Sequence, residues 1–288
     1  MFGRSWFAAV LLASLFAAPV AARDWSAGLD LSYSQGGYTM PYRLYVPTGY
    51  STSQDYPLVV FMHGLGENGT DNTLQVQRNI AGLIDRTDQA YPAILVVPQL
   101  PVGAHWDYRV PQDLTLGILG SVQQDYSVDA TRIYATGLSL GGFGCTQYTY
   151  DFPQMFAAVA PMSAAIDIPP SAGDPVSKVP TWLFHGSSDD WVDVSTSRNY
   201  FLDTTGNTSI VFNQTYYGYP TAVSDPIRYT ELTGQGHVIW DPIYANFDTA
   251  VYDWMFAQQV PEPSTLISLL SMGIVGIGLA WWRRKRLA

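Results

Sequence analysis

The stretch from residue 133 to residue 142 constrains this chain more than any other. It reads Ile-Tyr-Ala-Thr-Gly-Leu-Ser-Leu-Gly-Gly, an apolar, β-prone run that leads into Gly-x-Ser-x-Gly. A serine at the apex of a sharp strand-to-helix turn needs small neighbours, and Gly137 and Gly141 lack the Cβ atoms that would collide there. The pattern predicts that a strand ends, a helix begins, and Ser139 lies between them as a nucleophile. An ordinary glycine-rich turn is the competing interpretation.

The histidine that activates such a serine can be found by elimination, because the chain has only four. His63 and His105 precede Ser139, whereas the expected order is serine, acid, histidine. His185 closes a strand-like run and is interpreted as a structural histidine. His237 lies in a late glycine-rich loop after a strand-like run, where a general base is expected. His237 is therefore the predicted base, with a plain surface histidine as the alternative.

The orienting acid should lie between the serine and His237, at the carboxyl end of a strand. Asp189, Asp190 and Asp193 share one loop there. The acid must accept the Nδ1–H of His237 and so leave Nε2 free to act on the serine. Residue type alone does not separate neighbours this close in sequence, so all three aspartates remain candidates at this point.

Two backbone N–H groups are predicted to bind a developing oxyanion. The N–H of Leu140 opens the helix that follows the serine. The N–H of Leu65 lies in the glycine-rich loop 63–72, which follows the continuous apolar run Leu58–Met62. Such a run is typical of a central parallel strand buried on both faces. A simple glycine-rich loop without this role is the alternative.

These motifs together resemble the secreted α/β-hydrolases of the esterase/predicted-peptidase group, which is related to feruloyl esterases, polyhydroxybutyrate depolymerases and dienelactone hydrolases. The resemblance covers about Met40 to about Phe256. It implies a mostly parallel central sheet with helices on both faces. In the group's pattern the acid is the third residue after His-Gly, which falls on Asp189. The segments that carry the resemblance are 40–47, 56–72, 97–99, 106–107, 129–142, 184–189 and 236–242.

Alternation of strand-like and helical runs favours the same fold class, because such alternation is typical of a parallel sheet covered by helices. Residues 23–257 are long enough for one catalytic domain with a large core. The predicted helices are Asp113–Tyr126, Phe143–Tyr150, Val194–Leu202 and Ala245–Phe256.

Residues 1–22 are predicted to be a signal peptide. Arg4 precedes the apolar stretch Trp6–Phe16, and the small residues of Val20-Ala21-Ala22 suit cleavage by signal peptidase after Ala22. A first transmembrane helix is the alternative, although the stretch is short for one.

Residues 258–288 have three parts: Pro261-Glu262-Pro263, the apolar run Leu266–Trp282 and the basic cluster Arg283–Arg286. The arrangement resembles the PEP-CTERM sorting signal of Gram-negative bacteria, which implies processing by an exosortase. The apolar run is near the minimum length for a spanning helix, and the basic cluster would stay on the cytoplasmic side. We therefore expect export across the inner membrane, transient anchoring and a final place in the envelope or extracellular matrix. A plain C-terminal anchor is the alternative.

Charge and composition exclude several partners. The formal net charge is −10 although both termini are basic, which disfavours nucleic acid as a partner. No cluster of histidine, cysteine and carboxylate has metal-ligand spacing, so neither a metal nor a cofactor is expected. The single cysteine, Cys145, excludes an intramolecular disulfide and is interpreted as a buried thiol.

Aromatic residues make up 14% of the chain, and several fall beside the inferred site. Trp106, Trp191 and Trp240 are candidate substrate-binding residues, because rings near a nucleophile can stack on sugar faces or aromatic acyl groups. Polysaccharide-linked acyl groups are thus one expected class of ester substrate. Packing in the core is an equal alternative for each ring.

The combined prediction is a serine hydrolase that works by acyl transfer, with carboxylesterase preferred over peptidase because the resembled group contains mainly esterases. The same triad could cleave an amide, so a serine peptidase remains an alternative. A non-catalytic surface-binding protein is a third interpretation. Such a protein would more naturally have lost Ser139, His237 or the glycines that flank the serine, and all are present.

Overall fold

The computed structural model describes residues 27–77, 80–166, 170–208, 212, 222–246 and 249–260. The predicted signal peptide and the residues from Pro261 onward lie outside this part of the chain. Within the described part, no helix is both long and apolar enough to cross a membrane.

A nine-stranded sheet forms the centre of the fold, in the order β1-β2-β4-β3-β5-β6-β7-β9-β8. Six neighbouring strands are parallel: β4, β3, β5, β6, β7 and β9. At the edges, β1 and β2 on one side and β8 on the other pair antiparallel. The strands are β1 Leu29–Gln35, β2 Tyr38–Tyr45, β3 Tyr56–Met62, β4 Ile94–Pro98, β5 Val128–Leu138, β6 Ala158–Met162, β7 Thr181–Gly186, β8 Ala222–Ser224 and β9 Ile227–Leu232.

Helices cover both faces of this sheet, as the α/β-hydrolase prediction requires. Successive side chains of a strand point to opposite faces. Val59 and Phe61 of β3 accordingly pack in one apolar cluster, which includes α2 and α6, and Leu58 and Val60 pack in the other, which includes α3 and α4. The helices are α1 Leu74–Gln77, α2 Ala81–Asp88, α3 Arg109–Asp125, α4 Leu140–Asp151, α5 Ser195–Thr205 and α6 Ala250–Phe256.

All four predicted helices have other bounds in the structure. Helix α4 begins at Leu140 rather than Phe143, and α5 ends at Thr205 rather than Leu202. Helix α3 begins at Arg109, four residues before the predicted start, because Pro111 fits a first helical turn, where its missing N–H leaves no hydrogen bond unmade. The single helix predicted over Ala245–Phe256 is wrong: a π-helical turn, Pro242–Asn246, precedes α6. This turn packs closely on α2, where a Cβ on Gly82 would lie 2.8 Å from the Ala245 nitrogen.

Candidate active site

Ser139 lies at the apex of a tight turn between β5 and α4. Its backbone has φ 54° and ψ −116°, a left-handed conformation that costs a serine about 1–3 kcal/mol. Its N–H donates to the Met162 carbonyl at 2.9 Å, which ties the turn to the neighbouring strand β6. A Cβ on Gly137 or on Gly141 would overlap the carbonyl oxygen of Met62. Both glycines are therefore needed for close backbone approach.

Asp189 and His237 are brought together from loops 48 residues apart. His237 Nδ1 lies 2.8 Å from Asp189 Oδ2, and both side chains are buried. An ionised carboxylate only accepts hydrogen bonds, so Nδ1 carries the proton of the neutral imidazole. Nε2 is then an acceptor, as a general base requires.

Asp189 is distinguished from its two neighbours by burial and by its donors. Asp190 and Asp193 are exposed, and Asp193 accepts the Ser195 N–H at the start of α5. Burial by itself raises the pKa of Asp189, but hydrogen bonds from His185, the Val192 N–H, His237 and the Trp191 N–H hold that pKa well below its usual range. The carboxylate therefore stays charged beside His237.

Ser163, which sequence analysis did not single out, holds the histidine loop. It follows β6 directly, is fully buried and has φ 44°. Its N–H donates to the Phe184 carbonyl at 2.8 Å, and its Oγ donates to the His237 carbonyl at 2.9 Å. The carbonyl of Met162, one residue earlier, accepts the Ser139 N–H. Two adjacent residues at one strand end thus hold both the serine turn and the histidine loop.

Gly186, at the end of β7, allows the histidine loop to approach the sheet. A Cβ at this position would overlap the backbone carbonyl oxygens of Gln235 and Gly236. The preceding residue, His185, lies at the strand end where it was predicted, and it is fully buried. The His-Gly pair of the resembled family pattern thus has a steric basis for its glycine.

Leu65 and Leu140 each begin a helical segment that follows a central strand of the sheet. Leu65 opens a 3-10 turn, Leu65–Glu67, after β3, and Leu140 is the first residue of α4. Neither backbone N–H has an acceptor within its own helix, because the first N–H groups of a helix lack one. Both N–H groups therefore stay candidate donors to an anionic oxygen.

Gln99, at the carboxyl end of β4, fixes the loop that contains Leu65. Its fully buried amide donates from Nε2 to the Glu67 carbonyl at 3.1 Å and to Asp71 Oδ1 at 2.8 Å. Its Oε1 accepts the Asn72 N–H at 2.8 Å. A side chain from the neighbouring strand therefore sets the backbone position of the loop.

His63 is a structural residue of the same loop. Its Nε2 accepts the Leu100 N–H at 2.9 Å, and its Nδ1 lies 2.6 Å from the Gly64 carbonyl. Burial lowers the pKa of His63 to about 4. The neutral ring then donates from Nδ1 and accepts at Nε2, which leaves no nitrogen free for a substrate.

The three candidate tryptophans occupy different environments. The prediction that Trp106 contacts substrate is wrong: its side chain is fully buried, and its indole N–H donates to the His63 carbonyl at 3.1 Å. Trp240 is only 5% exposed and packs edge-on to His237, with ring centroids 5.8 Å apart, so packing accounts for it as well. Trp191 is 80% exposed and stacks nearly parallel to the His237 ring, with centroids 5.4 Å apart.

Among the described residues, no group of three or more histidine, cysteine, aspartate or glutamate side chains could hold a metal ion. Cys145 lies on α4 and is fully buried. Burial raises the pKa of its thiol, so the sulfur stays protonated.

Comparison with protein-family models gives two matches. Residues 34–225 match the Esterase family, described as "Putative esterase". Residues 259–285 match the PEP-CTERM protein-sorting motif.

Individual relatives agree with the first match. The chain is 28% identical over 250 residues to poly(3-hydroxyalkanoate) depolymerase C of Paucimonas lemoignei, covering 67% of this chain and 57% of that enzyme. The crystal structure of a thermostable esterase superposes with a TM-score of 0.68 at 28% identity, over 82% of this chain and 64% of the other. The feruloyl esterase module of Clostridium thermocellum, solved with sinapinate, gives a TM-score of 0.61 at 16% identity, over 83% and 90%. The chain thus spans less than two thirds of the first two proteins, and the third shows the fold alone.

Proposed function

The chain belongs to the Esterase family, and on that basis we propose that it is an exported carboxylesterase that works through Ser139, His237 and Asp189. One observation carries the proposal. The buried Asp189–His237 hydrogen bond of 2.8 Å makes Nδ1 the donor and so Nε2 the acceptor of the neutral ring, in the same fold that holds Ser139 in a strained turn. Nucleophile, acid and base also follow one another in the chain order of this fold.

The proposed reaction passes through an acyl-enzyme. His237 Nε2 takes the proton of the Ser139 hydroxyl as Oγ attacks the ester carbonyl carbon. The resulting imidazolium, stabilised by Asp189, then gives its proton to the leaving alcohol as the C–O bond breaks. Water repeats the sequence, with His237 as base again, and releases the acid and the free serine.

The N–H groups of Leu65 and Leu140 are proposed to bind the tetrahedral oxyanion. Leu140 opens the twelve-residue helix α4, so its N–H adds the partial positive charge of a helix start to its hydrogen bond. Loss of one donor of this kind typically costs about 10²–10³ in kcat.

The relatives supply the ester classes to be tried. The names of the compared proteins mention poly(3-hydroxyalkanoate) and feruloyl esterase, and the latter was solved with sinapinate. We propose that the exposed ring of Trp191, which stacks on the base, contacts the acyl or alcohol group of such an ester.

The terminal segments are proposed to direct export and sorting. The match over residues 259–285 supports a sorting tail, and we propose cleavage by signal peptidase after Ala22. The run Leu266–Trp282 would anchor the chain transiently in the inner membrane of a Gram-negative bacterium. Exosortase would then cleave near Pro261-Glu262-Pro263 and place the enzyme in the envelope or extracellular matrix.

Covalent labelling tests the proposed nucleophile. The full chain should react with a fluorophosphonate probe at Ser139, and Ser139→Ala should lose both labelling and about 10⁴–10⁶ in kcat while keeping its melting temperature. A panel of acetyl, feruloyl and 3-hydroxyalkanoate esters, run beside matched amides, separates esterase from peptidase. Undiminished ester hydrolysis by folded Ser139→Ala would end the proposal.

A further inference from the structure

The Asp189 carboxylate is held from two sides, and only one of them is His237. Its Oδ1 accepts the Trp191 and Val192 N–H groups, each at 2.9 Å. Its Oδ2 lies 2.8 Å from His237 Nδ1 and 3.2 Å from His185 Nε2. His185 and the Asp189 side chain are both fully buried, so no solvent competes for this oxygen.

The neighbours of His185 determine which of its nitrogens carries a proton. Nε2 lies 3.2 Å from the Asp189 carboxylate and 3.0 Å from the Val192 carbonyl, and both of these groups only accept. Nε2 must therefore be a donor. In the neutral ring Nδ1 is then an acceptor, and the Ser197 hydroxyl, 2.7 Å away and fully buried, donates to it.

The contacts form one chain that ends at the proposed base. Ser197 comes from the first turn of α5, and His185 comes from the end of β7. The acid loop runs between these two elements. Ser197, His185 and Asp189 thus connect the two ends of the acid loop to the side chain that bonds the proposed base.

We propose that His185 and Ser197 are positioning residues that hold the Asp189 carboxylate in the rotamer that binds His237. The inference rests on the proposed triad. Without the His185 contact, Oδ2 would keep His237 as its one side-chain donor, and the carboxylate could tilt away from His237 about the two backbone bonds that hold Oδ1. Neither residue touches substrate, so their loss should lower kcat and leave KM unchanged.

Four substitutions in the full chain, purified in detergent, test this inference. His185→Leu removes the donor while keeping most of the volume, and His185→Gln places an amide N–H near the position of Nε2. Ser197→Ala removes the hydroxyl that holds the ring. Thr205→Ala is the matched control, because it deletes a hydroxyl at the other end of α5 whose bonds are all local, to the Phe201 and Leu202 carbonyls and to the Asn207 N–H.

We expect His185→Leu to lower kcat by about 10–100-fold, by analogy with the loss of outer hydrogen-bond partners of metal ligands. Ser197→Ala should give a smaller loss, His185→Gln should recover most of the activity, and Thr205→Ala should match the wild type. The NMR signal of the His237 Nδ1 proton should shift or broaden in His185→Leu and Ser197→Ala only. This signal reports the Asp189–His237 bond without any turnover.

Wild-type kcat and an unchanged Nδ1 signal in folded His185→Leu would overturn the proposal and leave a packing role. If that variant does not fold, equal kcat values for Ser197→Ala and Thr205→Ala overturn it equally well. Failure of the triad itself is distinguishable, because the wild-type chain would then show no fluorophosphonate labelling at Ser139. The NMR comparison would still decide whether His185 holds Asp189.

Discussion

The two ends of the central sheet differ in backbone strain. All three described non-glycine residues with positive φ follow the carboxyl ends of parallel strands: Asn72 at 51°, Ser139 at 54° and Ser163 at 44°. At the amino end of the parallel strands, the described residues include no strained non-glycine backbone, and the contacts are a hydrogen bond and apolar packing. The Val260 N–H donates to the Thr131 carbonyl at 3.0 Å, and apolar packing surrounds it.

This difference shows where the fold tolerates an unfavourable backbone. Each strained residue costs about 1–3 kcal/mol and persists only if its surroundings hold it. At the carboxyl end those surroundings are long-range hydrogen bonds, such as Gln99 to Asn72 and Ser163 to His237. The amino end of the sheet has no strained residue to support, and Val260, the last described residue, lies there beside Thr131. Thr131 and Ser139 are eight residues apart along β5, which corresponds to about 26 Å of extended strand.

The largest expected effect separates the acid from its neighbours at the carboxyl end. Asp189→Asn should lower kcat by roughly 10⁴, because an amide cannot stabilise the imidazolium and can favour the wrong tautomer of His237. Exposed Asp190→Asn and Asp193→Asn are matched controls with mild effects. Steady-state kinetics on a soluble ester decide, and a crippled Asp193→Asn enzyme beside an active Asp189→Asn enzyme would reassign the acid.

A second prediction concerns steric crowding at the serine turn. Gly141→Ala should destabilise the fold by at least about 3 kcal/mol, since the new Cβ would overlap the Met62 carbonyl oxygen. Gly120→Ala, in helix α3 with open space at that position, should instead stabilise it by about 0.5–1 kcal/mol. Urea unfolding of both variants measures the difference. Equal and small changes would contradict the crowding inferred at the serine turn.

A third prediction uses the lowered pKa of His63. The unfolded histidine binds a proton below about pH 6.5, but the buried ring does so only below about pH 4. Its contribution to stability is therefore constant above pH 6.5 and falls by about 3 kcal/mol as the pH drops to 4. His63→Gln, which keeps an acceptor for the Leu100 N–H, should lack this component. Unfolding free energies against pH test it, with half-exposed His105→Gln as control.

The smallest effect is expected from shortening the C-terminal segment, which lies at the amino end of the sheet. A chain that stops at Val260 should keep its kcat, because its last residue is still bonded to Thr131 and no proposed catalytic group is lost. A chain that stops at Ala257 loses both the Val260 bond to Thr131 and the Tyr134 hydroxyl bond to Gln258. It should be less stable by about 1–2 kcal/mol, again with unchanged kcat. A marked kcat loss in the first variant would show that the tail supports the catalytic end.

Local features of the site could be predicted from the sequence alone. The strand–turn–helix around Ser139 could be identified because its constraint falls on residues two positions away, where only glycine fits. The neighbours of Asp189 needed more information, because three aspartates in one loop have the same chemistry. The family pattern selected Asp189, and only its burial and its bond to His237 supply a physical reason for the choice.

The sequence by itself determined the fold class, the serine turn, the order of the proposed catalytic residues and the burial of Cys145. Only the tertiary structure decided that Trp106 is buried, that Ser163 holds a loop 74 residues away, and that His185 shares an oxygen with His237. The physical reason is the sequence separation over which each feature restricts residue type. A turn or a strand restricts residue types within a few positions, whereas a contact between distant loops requires only a donor and an acceptor, which many residue types supply.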